Sequence, residues 1–228
     1  MARSDLPDTA VARRHQHARL FHDRGRMRIG LLGGSFNPAH EGHLHVTHLA
    51  RRALGLDQVW WMVSPQNPLK TSRDMAPLDM RLMQARQMTA GIPWIRVFAP
   101  EAGFRTNLTH ATLRILRQRC PRHRFCWLMG ADNLQGFGRW QHHDIIAQTV
   151  PIAVLDRPGY SYQAINAGRR LLKGRQPAAS FRMMALGAHS KPPVWCFIAG
   201  RRHHASATAL RQAGQDPATQ GAFVESHN

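Results

Sequence analysis

Lysine is almost missing from this chain: Lys70, Lys173 and Lys191 are its only three in 228 residues. Acidic residues are scarce as well, 13 against 31 Lys+Arg, so the formal net charge is +18 and nearly all of it is arginine. Two readings of that excess compete. One is a nucleic-acid footprint; the other is an arginine-rich composition that suits a protein handling anionic small molecules. The arginines are spread along the chain rather than gathered in one block, which favours the second. Cysteine is limited to Cys120, Cys126 and Cys196, with no C-x-x-C spacing. That argues against a zinc site and a disulfide framework, and it fits a reducing cytoplasm. No apolar run approaches the ~20 residues of a membrane span. Met1–Arg26 carries Arg3, Arg13, Arg14, Arg19, Arg24 and Arg26 with no apolar segment of a secretory signal, while Asp5, Asp8 and Asp23 weigh against an organelle presequence. Residues 1–26 are expected to form a flexible, solvated extension.

What is present suits one globular domain, since 43% of the residues are hydrophobic and a second core would be cramped. Order is expected from Met27. The apolar run Met27–Leu32 reads as a buried strand feeding a tight Gly33-Gly34 loop. Val46, Leu49, Ala50, Ala53 and Leu54 then recur at helical spacing, and Gly55 closes the pattern as a C-cap would. Further strands are expected at Val59–Val63, Trp94–Phe98, Phe125–Met129, Pro151–Leu155 and Val194–Ile198, and further helices over Leu78–Thr89 and Thr109–Arg119. Nearly all-apolar strands alternating with helical patterns predict a Rossmann-like, doubly wound, mostly parallel α/β sheet with helices on both faces. The domain is expected over 27–213, with a polar tail over 214–228. Ligands of such sheets sit outside the carboxyl ends of the strands. The unusual sequences do follow strands: they lie after Leu32, Val63, Met129 and Leu155.

The most informative string runs from Gly33 to His43, GGSFNPAHEGH. Glycines let backbone approach a ligand closely, and a helix start offers unpaired N–H groups and a positive dipole end to a phosphate. His40 and His43, three apart at that start, can face one anion. Among 15 His, an isolated H-x-x-H pair says little by itself. No third ligand at metal spacing follows, so no metal site is expected in the protein. The string is neither a Walker loop nor a G-x-G-x-x-G.

As a whole, the string resembles the G-x-F-x-P-x-H-x-G-H signature of the adenylyltransferases related to class I aminoacyl-tRNA synthetases, with Asn37 where many members have Asp. Ser206-Ala207-Thr208-Ala209-Leu210-Arg211 resembles the [ST]-x-T-x-x-[RK] motif of the same superfamily. Three further segments point to one branch. Ser64–Lys70 is similar to the P-x-N-x-P-x-K/R loop of bacterial nicotinate-nucleotide adenylyltransferases, and Asn107-Leu108-Thr109 to their Y-T step, with Leu108 replacing the aromatic. Gly130-Ala131-Asp132-Asn133-Leu134, Phe137 and Trp140, then Arg157-Pro158-Gly159-Tyr160, match their G-x-D-x-L-x-x-F-x-x-W and R-P-G-Y stretches. The approach to Ser206, Arg201–Ala205, departs from the usual pattern.

The resemblance implies adenylyl transfer from ATP to nicotinate mononucleotide, giving the dinucleotide and pyrophosphate in NAD biosynthesis. His40, His43 and Arg211 would be catalytic. Gly33, Gly34, Ser35, Phe36, Gly130, Asp132, Ser206 and Thr208 would join them in holding ATP. Asn67, Lys70, Thr109, Trp140 and Arg157 would hold the mononucleotide. Asp132 would accept from a ribose hydroxyl or, as its bland alternative, cap the helix after Gly130. Trp140 would stack on the pyridine ring or serve as core. Mg²⁺ would be bound mainly through the phosphates of ATP. Alternatives are a relative acting on nicotinamide mononucleotide or phosphopantetheine, and a basic nucleic-acid-binding protein on a nucleotide fold. Small-molecule partners are favoured over nucleic acid, no membrane partner is expected, and the sequence leaves a homo-oligomer open.

Overall fold

The computed structural model describes residues 25–65, 75–104, 106–156, 161–186 and 192–200. Most of the expected extension, the Ser206–Arg211 string and the polar tail lie outside the described residues. Among the described residues seven strands form one sheet: β1 (Arg28–Gly34), β2 (Gln58–Val63), β3 (Ile95–Phe98), β4 (Arg124–Gly130), β5 (Ile152–Leu155), β6 (Arg175–Gln176) and β7 (Trp195–Ile198). Their spatial order is β3-β2-β1-β4-β5-β7-β6, and every pairing is parallel. This is the expected doubly wound sheet, parallel throughout.

Helices cover both faces: α1 (Glu41–Leu54), α2 (Leu78–Met88), α3 (Pro100–Phe104), α4 (Thr109–Arg119), α5 (Ala131–Gly136), α6 (His143–Thr149), α7 (Ser161–Leu171) and α8 (Ala178–Ala185). Side chains along a strand point to opposite faces in turn, so each apolar strand feeds two cores. Ile29, Leu31, Trp60 and Trp127 pack with Leu113 and Leu116 of α4, Leu134 of α5 and Ala164 of α7. Leu32, Val59, Trp61 and Leu128 pack with Val46, Ala50 and Leu54 of α1, Leu82 and Ala85 of α2 and Phe181 of α8. A strand buried on both sides has no polar phase, which is why these segments read as unbroken hydrophobic runs. Among the described residues, no helix is long and apolar enough to cross a membrane.

Two local features depart from the sequence expectation. Gly33 and Gly34 belong to β1 rather than to the loop, in register with Met62 and Val63. Helices α5 to α8 stand where the sequence expectation named none: α5 and α6 have only six and seven residues, while α7 is amphipathic but buries the small residues Ala164 and Ala167. Its Gly168 lies under an indole, where an added Cβ would come within 2.4 Å of Trp195. By contrast α1 ends as read, with Gly55 left-handed at φ 59° and its N–H donating to the Arg51 carbonyl.

Gly33 repeats the Gly168 arrangement inside the sheet, since a Cβ there would sit 2.5 Å from the Trp127 ring. Trp127 is 3% exposed and cannot swing out of the core. Gly33→Ala is therefore expected to destabilise by about 1–3 kcal/mol, the usual cost of overpacking, lowering Tm by several degrees. Trp127→Phe should restore part of that loss in the double variant, so thermal melts of the two singles and the double should be non-additive. Additive losses would show that the ring does not set the requirement for glycine.

Candidate nucleotide-binding site

The sheet reverses its winding between β1 and β4, because β2 and β3 lie on one side of β1 and β4, β5 and β7 on the other. A crevice for ligands opens outside the carboxyl ends at such a switch point. The sequence places its densest motif there. β1 ends at Gly34, and α1 begins seven residues later at Glu41.

His40 is the N-cap of α1, with extended backbone at φ −150° and ψ 167°. Its N–H donates to Nδ1 of His43 at 3.2 Å, while the His43 N–H donates to the His40 carbonyl at 2.8 Å. A backbone N–H can only donate, so Nδ1 of His43 accepts and the ring proton sits on Nε2. Nε2–H is thus the donor atom of the His43 ring. The two rings lie 3.8 Å apart, as side chains three residues apart at a helix start allow. The turn is anchored from below: Thr47 Oγ1 donates to the His43 carbonyl at 2.7 Å and accepts from Trp61 Nε1 at 2.8 Å. Both anchors are buried and satisfied, which holds the helix start rigid.

Phe36 is not a surface group. Its ring is 1% exposed, stacked on Trp61 at 5.0 Å and tilted against His43 at 4.6 Å. Its backbone is left-handed at φ 48°, a conformation that costs a non-glycine residue about 1–2 kcal/mol. Burial of the ring offsets that cost, so only the backbone of Phe36 can meet a ligand. Asn37 Oδ1 accepts from the Ala76 N–H at 3.1 Å, tying the loop after β1 to the start of α2. That is a loop-shaping role an amide fills without the charge of aspartate.

The sequence reading missed Arg81. It lies on the buried face of α2 with Leu78, Leu82 and Ala85 and is 1% exposed. Nε donates to the Ala76 carbonyl at 2.8 Å, Nη1 to Ser35 at 2.6 Å and Ser64 at 2.8 Å, and Nη2 to Pro65 at 2.8 Å. Burial pulls its pKa below the usual arginine range, yet a guanidinium stays charged in proteins. The available signal was an arginine at helical spacing among apolar residues. In a chain this rich in arginine, that signal is easily lost.

Across the switch point, Gly130 ends β4 and is the N-cap of α5, with no side-chain cap. Asp132 lies in the first turn of α5, where the positive end of the helix favours a carboxylate. Trp140 is partly buried and meets Trp127 and Phe137 edge to face at 6.1 and 5.5 Å. Thr109 opens α4. Gly33, Gly34, Ser35, His40, His43, Gly130, Asp132 and Thr109 thus all sit at the ends of β1 and β4 or at the starts of helices α1, α5 and α4. Asn67, Lys70, Arg157, Ser206, Thr208 and Arg211 lie outside the described residues. The three cysteines are buried and free; burial raises Cys120 to about 11, Cys196 to about 12 and Cys126 well above the usual thiol range. None is a ready nucleophile.

A parallel α/β sheet with a glycine-ended first strand and a histidine pair at the following helix start defines a nucleotide-binding protein of the nucleotidyltransferase class. Comparison with known proteins narrows this. A family profile described as cytidylyltransferase-like matches residues 31–213. A protein of Methylorubrum extorquens named "probable nicotinate-nucleotide adenylyltransferase" is 47% identical over 188 residues, covering 81% of this chain and 99% of that protein. One of the same name from Parvibaculum lavamentivorans is 47% identical over 192 residues, covering 82% and 92%. In fold, the chain is similar to the Plasmodium falciparum nicotinic acid mononucleotide adenylyltransferase complexed with NaAD: TM-score 0.62, 13% identity, 82% of this chain and 83% of that one. The chain belongs to the cytidylyltransferase-like family and, within it, to the nicotinate-nucleotide adenylyltransferases.

One acid near this edge has an unusual setting. Glu101 of α3 has Oε2 buried with no hydrogen-bond partner among the described residues, and burial raises its pKa from 4.5 to about 7. The folded state therefore binds this proton more tightly than the unfolded chain. The stabilisation is complete below 4.5 and is lost as pH rises through about 7. Glu101→Gln is expected to match the wild-type Tm below that window and to exceed it above. Melts across pH check this, and a constant difference at all pH values would show that ionisation is not the cause.

Proposed function

We propose that this protein transfers the adenylyl group of ATP to the 5′-phosphate of nicotinate mononucleotide, forming nicotinate adenine dinucleotide and releasing pyrophosphate, a step of NAD biosynthesis. The observation that carries the reading is the β1–α1 corner, where the His40 and His43 rings meet at 3.8 Å at the start of a helix on the switch point. The acceptor is taken from the named activity of relatives that are 47% identical over nearly their whole length. An oxygen of the mononucleotide phosphate attacks the α-phosphorus in line. The bond from that phosphorus to the bridging oxygen breaks, and pyrophosphate leaves with the electron pair. The attacking oxygen is already ionised, so no protein nucleophile or base is needed. The protein's work is positioning and the stabilisation of charge on phosphate oxygens.

Each residue then has a task. His43 Nε2–H and the neighbouring His40 donate to the phosphates, with the N–H groups and dipole of α1 adding to the field. Gly33, Gly34, Ser35 and the Phe36 backbone would line the ATP side, with Gly130 and Asp132 toward the ribose. Thr109 and Trp140 would meet the mononucleotide. On motif match alone, Asn67, Lys70 and Arg157 would join them, and Ser206, Thr208 and Arg211 would hold the triphosphate. Among the described residues, no group of three His, Cys, Asp or Glu side chains is placed to hold a metal ion. The donor set at the corner suits phosphate rather than a cation, so Mg²⁺ would be carried on the phosphates of ATP, where it would neutralise charge. The three buried thiols suit a reducing compartment, and the cytoplasm is the proposed location.

A pyrophosphate-release assay with ATP, Mg²⁺ and each of nicotinate mononucleotide, nicotinamide mononucleotide and phosphopantetheine tests the reading. Turnover is expected to be highest with the first. Preference for another acceptor would reassign the substrate, and no release with any of them would remove the activity. Within that assay, His43→Ala is expected to lower kcat with little change in KM for ATP. One lost donor to a transition-state charge costs about 3–4 kcal/mol, or 10²–10³-fold in rate. His40→Ala should fall in the same direction, with circular dichroism used to check that α1 is intact.

Trp140→Ala distinguishes stacking on the pyridine from a core role. Stacking predicts that KM for nicotinate mononucleotide rises about tenfold or more while KM for ATP changes little, with Trp140→Phe partly restored. A fall in Tm with both KM values moving together would assign the ring to the core.

A further inference from the structure

Arg81 stops the pairing of β1 with β2 at one rung. Gly34 pairs with Val63, and the Ser64 N–H donates to the Gly34 carbonyl at 2.9 Å. In a parallel ladder the next bond would run from the Phe36 N–H to the Ser64 carbonyl. That carbonyl is instead taken by Arg81 Nη1 at 2.8 Å, and the same nitrogen takes the Ser35 carbonyl at 2.6 Å. A trans peptide holds the next N–H antiparallel to the carbonyl. With the Ser35 carbonyl turned to the guanidinium, the Phe36 N–H is turned away from it. Among the described residues that N–H donates to no group. The left-handed backbone at Phe36 completes the turn away from the ladder.

We propose that Arg81 is a positioning residue of the transfer reaction: by capping the ends of β1 and β2 it keeps the Phe36 N–H unspent, as a donor for a phosphate oxygen of ATP. Arg81 does not touch the substrate. It acts through the Ser35–Phe36 peptide, and it does so with four bonds to carbonyls, so among the described residues its buried charge is solvated by dipoles and not by a carboxylate. An acid at that place would cancel the positive field beside the phosphate corner; a ring of carbonyls leaves much of it. A lysine ammonium has three donors and no planar fork, so it cannot hold all four carbonyls. The proposal deepens the adenylyl-transfer reading and rests on it, but its test uses ATP binding alone.

The experiment is amide hydrogen exchange by NMR on the full-length protein, free and saturated with Mg²⁺ and the unreactive analogue α,β-methylene-ATP, with Kd from calorimetry. In the wild type, exchange at Phe36 is expected to slow about tenfold or more on binding, the mark of a new hydrogen bond. In Arg81→Lys, Kd is expected to rise about tenfold and the added protection at Phe36 to disappear, while the unliganded spectrum stays folded. A purely structural role predicts a lower Tm with wild-type Kd and intact protection at Phe36, and that result would overturn the proposal. Should Arg81→Lys not fold, the wild-type titration decides by itself: no change at Phe36 on saturation also overturns it. Analogue binding that follows this pattern in a protein inactive with nicotinate mononucleotide would sink the acceptor assignment and leave Arg81 in place.

Discussion

Three stretches of loop meet on one buried cation. The Arg81 guanidinium binds carbonyls from the loop after β1, the loop after β2 and the segment entering α2. Each of these is a place where the chain leaves regular structure and its carbonyls would otherwise be buried without partners, at a cost of about 1–3 kcal/mol each. Hydrogen bonds to a charged group are stronger than neutral ones, and a planar fork fixes direction as well as distance. The corner proposed to face the ligand is therefore set from behind, by the guanidinium under the loops. Asn37 repeats the arrangement with its bond to the Ala76 N–H.

The histidine side of the corner is held in a similar way. His43 receives one backbone N–H on Nδ1, and its own carbonyl receives the Thr47 hydroxyl, which is held in turn by the Trp61 indole. Phe36 fills the space between His43 and Trp61. A donor to a developing phosphate charge is useful only if it does not reorganise during the reaction. Packing and buried hydrogen bonds supply that rigidity here. Trp61 also stands in the core beneath α1, so the mechanical foundation of the site is the hydrophobic face of the sheet.

Glycine works in this fold by making room for tryptophan. Gly33 lies against Trp127, and Gly168 against Trp195. Both indoles are almost fully buried, in the core on the α4–α7 side of the sheet. Gly33 thus has two demands on it: a ring on its Cβ side and, on the proposed function, a nucleotide beyond the strand end. Motif matching sees the glycine and credits the ligand. The packing shows that the protein's own core forbids a side chain there whether or not a ligand comes near.

The sequence by itself determined the sheet class, the helix α1 with its Gly55 stop, the helix Thr109–Arg119, and the location of the candidate site at the end of β1. These are local or periodic properties: an apolar strand buried on both faces, a heptad-like stripe, a left-handed cap, a motif of fixed spacing. It also marked His40 and His43, because their spacing on a helix start is fixed by helix geometry. It did not reveal the helices between Ala131 and Ala185: α5 and α6 are too short for a period to emerge, and the apolar stripe of α7 is built on small residues, Ala164 and Ala167. Nor could it reveal which nitrogen of His43 carries the proton, that the Phe36 ring is sealed in the core, or that Arg81, among so many arginines, holds the loops. Those depend on contacts between residues up to 46 positions apart, as in the Arg81–Ser35 bond. Only the closing of the sheet brings such groups within hydrogen-bonding distance, and no local pattern in the chain encodes that meeting.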